Sequence, residues 1–219
     1  KDAAVGYVLE GEILGAMGKK VEALPPFEEA FKRDKSPQSV VRLYRARAAA
    51  GQSAEAAKLA ADWVKANPKD LVLRSYLAER SLTEQKYELA AQQYRQMLEL
   101  APKNPMLLNN LAWVLGKLGD KSAISVAQQA VALAPNSPVV LDTLGGLLMD
   151  SGDTAKGVEQ LKRAVSLGPN LPALRLNLAK ALVKIGDKDG ARKELDAAMS
   201  KAPEKSAIRA ELDKLKASL

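Results

Sequence analysis

Residues that commonly perform chemistry in enzyme sites are scarce in this chain. Histidine and cysteine are both absent from its 219 residues, which excludes Ser-His-Asp and Cys-His nucleophiles, disulfides and zinc sites built from those residues. Asp142 and Asp150 are candidates for glycoside hydrolysis, which needs two carboxylates. Their positions are eight residues apart on one helical segment, and about 12 Å of rise exceeds the usual carboxylate separation. The sequence therefore predicts no catalytic, metal or cofactor site.

The composition indicates which elements must position the remaining polar residues. Only 4% of the residues are aromatic, whereas 47% are hydrophobic in the broad sense. This balance favours close-packed helices over β-sheets, because strands prefer aromatic and β-branched residues. An all-helical scaffold is therefore expected.

The charge of the chain is basic but evenly spread. The net charge is +7, of which residues 1–104 carry +3 and residues 105–219 carry +4, with no run of five like charges. Such a distribution does not predict a nucleic-acid partner. No window of 18 consecutive apolar residues occurs, so no membrane-spanning segment is predicted. The chain begins with Lys1 in a helical pattern and is interpreted as a piece of a longer protein, which leaves room for a lipid anchor elsewhere.

Proline recurs with a period near 34 residues. The spacings are 34, 33, 34 and 34 in the series Pro68, Pro102, Pro135, Pro169 and Pro203. Each proline is expected to end a helix, since it lacks an N–H group and disfavours helical backbone in the residue before it. Pro25 and Pro26 fall inside an expected helix and predict a kink or a late helix start there.

Glycine and alanine recur with the same period. Glycine can adopt the left-handed conformation that ends a helix, and it recurs in the predicted turns at Gly18, Gly51, Gly119, Gly152 and Gly186. Alanine permits two helices to cross closely, and it recurs at Ala23, Ala56, Ala90, Ala123 and Ala191, with Gly157 in the one gap. Each unit is therefore predicted to be helix, tight turn, helix, tight turn.

This set of coincident spacings resembles the tetratricopeptide repeat (TPR) family, whose period is 34 residues. The resemblance implies an all-α, right-handed superhelix of six helix-turn-helix repeats in a single domain. The expected repeats are residues 4–35, 37–70, 71–104, 105–137, 138–171 and 172–205. Residues 206–219 are expected to form a capping helix with an apolar inner face and a charged outer face.

Two phrases resemble a narrower group within that family. Asn109-Asn-Leu-Ala-Trp113 opens the fourth repeat and Asp142-Thr-Leu-Gly145 opens the fifth. In this order they resemble the C-terminal repeats of the TPR lipoproteins that accompany PEP-CTERM/exosortase systems in Gram-negative bacteria. That group often continues the second phrase with Trp, where this chain has Gly146. The resemblance implies an extracytoplasmic location, in the periplasm or at the outer membrane, and a role in exopolysaccharide production and surface-protein export. A cytoplasmic location stays open.

In TPR folds the first helices line a concave groove, so the resemblance also implies a set of partner-binding residues. Asn110 and Asn177 occupy one register with Thr143 between them, and an Asn amide can pair with a peptide backbone of any sequence. These amides can instead bond neighbouring helices. Trp113 is either an exposed anchor or folded back and half-buried. The predicted set is Arg42, Arg45, Tyr76, Asn109, Asn110, Trp113, Lys117, Thr143, Asn177, Lys180 and Lys184.

The function predicted from these residues is a non-catalytic scaffold that binds a peptide or protein segment in the groove. The alternative is binding of an acidic exopolysaccharide, with Trp113 and Tyr76 stacking on sugar rings and Arg42, Arg45 and Lys117 supplying charge. A third hypothesis is homo-oligomerisation through the end helices.

Overall fold

The computed structural model describes residues 2–219, with side chains from Ala4 onward. These residues form thirteen α-helices that follow one another as antiparallel pairs with a last single helix. The helices are α1 (Asp2–Ala16), α2 (Leu24–Arg33), α3 (Pro37–Ala49), α4 (Ser53–Ala66), α5 (Val72–Thr83), α6 (Tyr87–Leu100), α7 (Pro105–Lys117), α8 (Ala123–Leu133), α9 (Pro138–Ser151), α10 (Thr154–Leu167), α11 (Pro172–Lys184), α12 (Lys188–Met199) and α13 (Ala207–Ala217).

The observed pairs confirm the predicted all-α repeat fold. The chain divides into two compact units, the first ending at Gln93 and the second comprising Tyr94–Leu219. The assignment of the whole chain to one domain stays a prediction.

The turns within the helix pairs have the backbone geometry that the glycine series predicts. All five glycines have positive φ angles, between 67° at Gly119 and 94° at Gly152. In the third pair the same place is taken by Gln85, whose φ is 56°. A side chain in this left-handed region is strained, because its Cβ crowds the neighbouring carbonyl oxygen.

Replacing Gln85 by Gly is expected to stabilise the first unit. The left-handed backbone costs a non-glycine residue roughly 1–2 kcal/mol, and the greater freedom of glycine in the unfolded chain offsets about half of that gain. We expect the free energy of unfolding to rise by about 0.5–1 kcal/mol, measured by urea denaturation. Gln85→Ala is the control, because it keeps the strained backbone. Equal stability of the two variants would contradict the explanation.

Prolines and capping side chains fix where the first helices begin. Pro37, Pro105, Pro138 and Pro172 each occupy the first helical position, where no intrahelical N–H bond is lost. The Asn104 side chain accepts hydrogen bonds from the backbone N–H groups of Met106 and Leu107, at 3.0 and 3.2 Å. Helix α2 begins only at Leu24, with Pro25 and Pro26 in its first turn. The predicted late start of this helix is therefore confirmed.

The core of each unit consists of small residues at helix crossings and larger aliphatic residues between them. Alanines of the predicted series are buried, with Ala90 and Ala191 fully inaccessible. In the first unit Trp63 packs with Val40 and Leu73, and its indole Nε1 donates to Asp70 Oδ2 at 2.6 Å. The second unit has a larger cluster that runs from Leu141 to Leu212. These clusters hold the first helices of successive pairs side by side.

The two end helices differ in what they expose. Leu212 of α13 is fully buried, and the outer face of α13 carries an Arg209–Asp213 ion pair at 3.4 Å. Helix α1 and the residue that follows it instead expose an apolar stripe, defined as Val5, Leu9, Ile13 and Met17, each between 53% and 62% exposed. Within the described residues no helix is long and apolar enough to cross a bilayer.

Candidate functional site

The first helices of three successive pairs in the second unit enclose an open cleft. It has a volume of about 530 Å³, which lies within the range of ligand pockets. Helix α7 contributes Trp113 and Lys117, α9 contributes residues from Asp142 to Asp150, and α11 contributes residues from Asn177 to Lys184. The structure thus brings six of the predicted residues into one place: Trp113, Lys117, Thr143, Asn177, Lys180 and Lys184.

The polar side chains predicted to share one register, Asn110, Thr143 and Asn177, form hydrogen bonds within the protein itself. Asn177 Nδ2 donates to Asp142 Oδ2 at 2.8 Å, which joins α11 to α9. Thr143 Oγ1 donates to the Val139 carbonyl of its own helix at 3.2 Å. Asn110 is half-buried, and its Oδ1 lies 3.4 Å from Asn109 Nδ2. The alternative that these polar groups bond within the fold is therefore correct for Asn177, which still lines the cleft.

Asn109 is a correction to the predicted groove set. It is only 5% exposed, so its side chain points into the helical packing and not into a groove. The reason is geometric: neighbouring residues of an α-helix point about 100° apart, so Asn109 and the half-buried Asn110 cannot both face the groove. Among the described residues, Asn109 Oδ1 has no hydrogen-bond partner.

Trp113 is exposed at the edge of the cleft. The residue is 41% exposed, and the Lys117 Nζ atom lies 5.1 Å from the centroid of its ring. Lys117 is one helical turn further along α7, so a cation–π contact between them is local. Of the two expectations for Trp113, exposure on the groove face is the one observed. An indole held in this position can present an apolar surface to a bound molecule.

The lysines of α11 have polar contacts that hold them at the rim. Lys180 Nζ lies 3.2 Å from Glu211 Oε2. Lys184 Nζ donates to the Met149 carbonyl at 2.6 Å. The Lys180–Glu211 pair is exposed, and such surface ion pairs are weak, worth under about 1 kcal/mol. The Lys180 ammonium group can therefore reorient towards a bound molecule, whereas the Lys184 hydrogen bond is part-buried.

Asp142 lies outside the predicted partner-binding set, yet it lines the cleft. Burial raises its pKa to about 6, and the hydrogen bond from Asn177 lowers it by less. Its Oδ1 atom has no hydrogen-bond partner among the described residues. In the sequence Asp142 stands out as half of a carboxylate pair and as the first residue of the motif at 142–145, and neither observation indicates that it is buried. Its hydrogen-bond partner Asn177 lies 35 residues further along the chain.

The other predicted residues, Arg42, Arg45 and Tyr76, belong to the first unit. Arg42 lines a second cleft, of about 420 Å³, beside α1, and its Nε lies 3.7 Å from Glu12 Oε1. Tyr76 packs edge-on against Tyr44, with 5.6 Å between ring centroids. Burial raises the pKa of Tyr76, and the positive charges of Arg80 and Arg45 lower it by less. The Tyr76 ring is therefore half-buried packing and is not a free stacking surface.

Successive short helix pairs with a cleft along the first helices of three of them define a helical-repeat binding scaffold. Two models of the tetratricopeptide repeat match the sequence, one over residues 77–138 and the other over residues 148–219. Together they cover more than half of the chain. The chain is a tetratricopeptide repeat protein, and such proteins are generally non-catalytic scaffolds for protein–protein interaction.

Solved structures support the same fold. A TPR protein from Parabacteroides merdae matches with a TM-score of 0.74 at 13% identity, over 100% of this chain and 87% of that chain. PilF of Pseudomonas aeruginosa matches with a TM-score of 0.62 at 16% identity, over 97% of both chains. YrrB, described as a TPR protein with an unusual peptide-binding site, matches with a TM-score of 0.57 at 17% identity, over 86% of this chain and 97% of that chain. At these identities the likeness concerns the fold alone. A search of curated proteins by sequence gives no significant match.

Proposed function

We propose that the second unit binds a peptide or protein segment in the cleft between α7, α9 and α11, without catalysing a reaction. The observation that carries this proposal is the convergence of Trp113, Asn177 and three lysines from α7 and α11 on one open cavity. An apolar ring with a few polar groups around it is the usual composition of a binding site. The peptide-binding site attributed to YrrB, a similar structure, agrees with this proposal.

We further propose that this binding takes place outside the cytoplasm, in the export of exopolysaccharide or surface proteins, within a parent protein that is lipid-anchored. The support is the resemblance of the phrases at 109–113 and 142–145 to the lipoproteins of PEP-CTERM/exosortase systems. The partner is then a protein of the cell envelope. Fractionation of the native host tests this location, and recovery of the parent protein in the cytoplasmic fraction alone would contradict it.

Filling the cleft with a bulky side chain at Gly146 tests the proposed function. A Cβ atom added at Gly146 meets nothing within 4 Å, and Gly146 lines the cleft. Gly146→Trp is therefore expected to fill the cavity without disturbing the core, and to weaken partner binding at least tenfold. Gly146→Ala is the matched control, since a methyl group leaves the cavity open. Cross-linked affinity capture from the host's envelope fraction compares wild type with both variants.

The outcome of that capture decides where binding occurs. Proteins retained by wild type and Gly146→Ala but lost by Gly146→Trp support the proposal and identify the partner. The same proteins retained by all three baits would exclude the cleft. Urea denaturation of the three proteins checks that the tryptophan variant remains folded.

Binding of an acidic polysaccharide by the same cleft is the second candidate. It is favoured by the three lysines at the rim together with the exposed ring of Trp113. The arginines that were predicted to assist, Arg42 and Arg45, lie in the first unit. Contacts between a polyanion and exposed lysines are screened by salt. We expect steep weakening between about 50 and 300 mM salt for a polyuronate complex, and little change for a peptide held by amide groups.

Homo-oligomerisation through an end helix stays a prediction. The apolar stripe of α1 is the surface that favours it, because exposed apolar patches commonly mark interaction sites. Light scattering after size-exclusion chromatography gives the mass in solution. If α1 mediates self-association, Ile13→Glu is expected to restore the monomer mass.

A further inference from the structure

The carboxylate of Asp142 lies in the cleft with only one of its two oxygens hydrogen-bonded within the described residues. One oxygen accepts a hydrogen bond from Asn177 at 2.8 Å, and in the part of the chain that the structure describes the other accepts none. A partly buried carboxylate without a cation is unfavourable when ionised, and burial accordingly raises the pKa of Asp142 to about 6. A ligand that brings a positive charge to this place would relieve that cost.

The lysines around the cleft are directed to other groups. Lys117 lies over the Trp113 ring, with Nζ 5.1 Å from the centroid. Lys180 faces Glu211 and Lys184 donates to the Met149 carbonyl. Asp142 therefore shares the cleft with three lysines whose described contacts are to other groups, and its own partner is a neutral amide.

The space next to Asp142 suits a long side chain with a charged end. Gly146 follows Asp142 by one helical turn on α9, and a Cβ atom there would meet nothing within 4 Å. The walls of the cleft include Trp113, Leu147 and Ala181, which offer apolar surface to a methylene stem. Lysine and arginine combine such a stem with a cationic head.

We propose that the cleft recognises a lysine or arginine side chain of the bound segment, with Asp142 as the residue that pairs with its charged end. This inference rests on the proposed function. The rim lysines add a second preference, because Lys117, Lys180 and Lys184 repel further positive charges near the basic residue. The preferred segment is therefore one isolated basic residue flanked by neutral or acidic residues.

A positional-scanning library of N-acetylated octapeptide amides tests this preference. Wild-type protein is expected to enrich Lys or Arg at one position, with acidic or neutral residues on either side. In the enriched peptide, replacing that residue by Gln is expected to lower the affinity at least tenfold by fluorescence polarisation. Asp142→Asn is expected to remove this discrimination, so that the basic and Gln peptides bind equally. Glu159→Gln, an exposed carboxylate on α10 outside the cleft, is expected to retain it.

A spectroscopic measurement separates direct pairing from an indirect effect of the substitution. The pKa of Asp142, followed by carboxyl ¹³C NMR, is expected to fall below its free-state value when the basic peptide saturates the site. The Gln peptide is expected to leave it unchanged. A pKa that is the same with both peptides would overturn the assignment of Asp142.

Failure of this inference and failure of the proposed function give different results. Peptide binding that Gly146→Trp abolishes, but that shows no preference for Lys or Arg, rejects only the role of Asp142. An enrichment of peptides without any basic residue has the same meaning. Absence of binding to every peptide in the library overturns both proposals.

Discussion

Gly145→Ala is expected to destabilise the second unit, whereas the same change at the next residue is expected to stabilise it. Gly145 lies where α9 crosses α10. A Cβ atom there would be 2.7 Å from Leu161 Cγ and 3.0 Å from the Gly157 carbonyl oxygen. The Gly157 oxygen belongs to the backbone of α10, so it cannot move aside as a flexible side chain can. Overpacking of this kind costs about 2–3 kcal/mol.

The alanine also favours the helix, which offsets part of that cost. Alanine in a helix interior is better than glycine by roughly 0.5–1 kcal/mol. The net loss at Gly145 is therefore expected to be about 1–2 kcal/mol. At Gly146 the added methyl group meets open space, so only the favourable contribution remains. The two neighbouring variants should differ by about 2–3 kcal/mol in their free energies of unfolding.

Urea denaturation followed by far-UV circular dichroism measures this difference. Gly157→Ala tests the same crossing of α9 and α10 from the α10 side. Its Cβ atom would be 2.7 Å from Met149 Sδ and 3.0 Å from the Gly145 carbonyl oxygen. Because the methionine side chain is adaptable, its loss should be smaller than that at Gly145. Equal stability of Gly145→Ala and Gly146→Ala would show that α9 and α10 can move apart at Gly145 without loss of stability.

Local backbone chemistry explains why so much of the fold follows from the sequence. A proline at the start of a first helix or a glycine in a turn acts within a few residues of itself. Their period therefore predicts the helix pairs without knowledge of the neighbours. Gln85 shows the limit of that reasoning, since the third turn keeps its left-handed backbone although the glycine is missing. There the repeat geometry overrides the local preference.

The candidate site was predictable only in outline. The periodic register places Trp113, Thr143 and Asn177 on one face, and in the structure all three line the cleft; their role in partner binding stays a prediction. The register fails for Asn109, since a single residue step turns the side chain from the groove into the packing. The bond between Asn177 and Asp142 joins two repeats, and no pattern within one repeat indicates it. Burial of a carboxylate likewise depends on the neighbouring helices.

That same carboxylate gives the second large expected effect: Asp142→Asn should stabilise the second unit above pH 6. The folded-state pKa of Asp142 is raised to about 6 from a reference value of 3.8, chiefly by burial. A raised carboxyl pKa means that the folded state favours the protonated form. Ionisation of Asp142 in the folded protein therefore lowers the free energy of unfolding. This loss is absent below the reference pKa, grows as the pH rises towards 6, and is complete above pH 6.

The size and direction of this effect can be separated from the titration of other groups. Asp142 faces Asn177 on α11, and the charged groups that line the same cleft are Lys117, Asp150, Lys180 and Lys184. Contributions of these groups that do not involve the Asp142 charge cancel in the difference between wild type and variant, and the raised pKa of Asp142 has burial and the Asn177 hydrogen bond as its causes. At pH 7.5 the variant is expected to be more stable by about 1–3 kcal/mol. At pH 4 the two are expected to differ by less than about 1 kcal/mol.

Thermal and urea denaturation at pH 4, 5, 6 and 7.5 measure that difference, with Asp150→Asn as the exposed-carboxylate control. The asparagine introduced by the Asp142→Asn substitution keeps the shape of the side chain and can still accept the hydrogen bond from Asn177. A stabilisation that is the same at every pH would mean that the substitution acts through packing and not through charge. A stabilisation confined to neutral pH would mean that the native aspartate makes the free protein less stable. Sites kept at such a cost are characteristic of function, and in this cleft a cationic partner would remove the cost on binding.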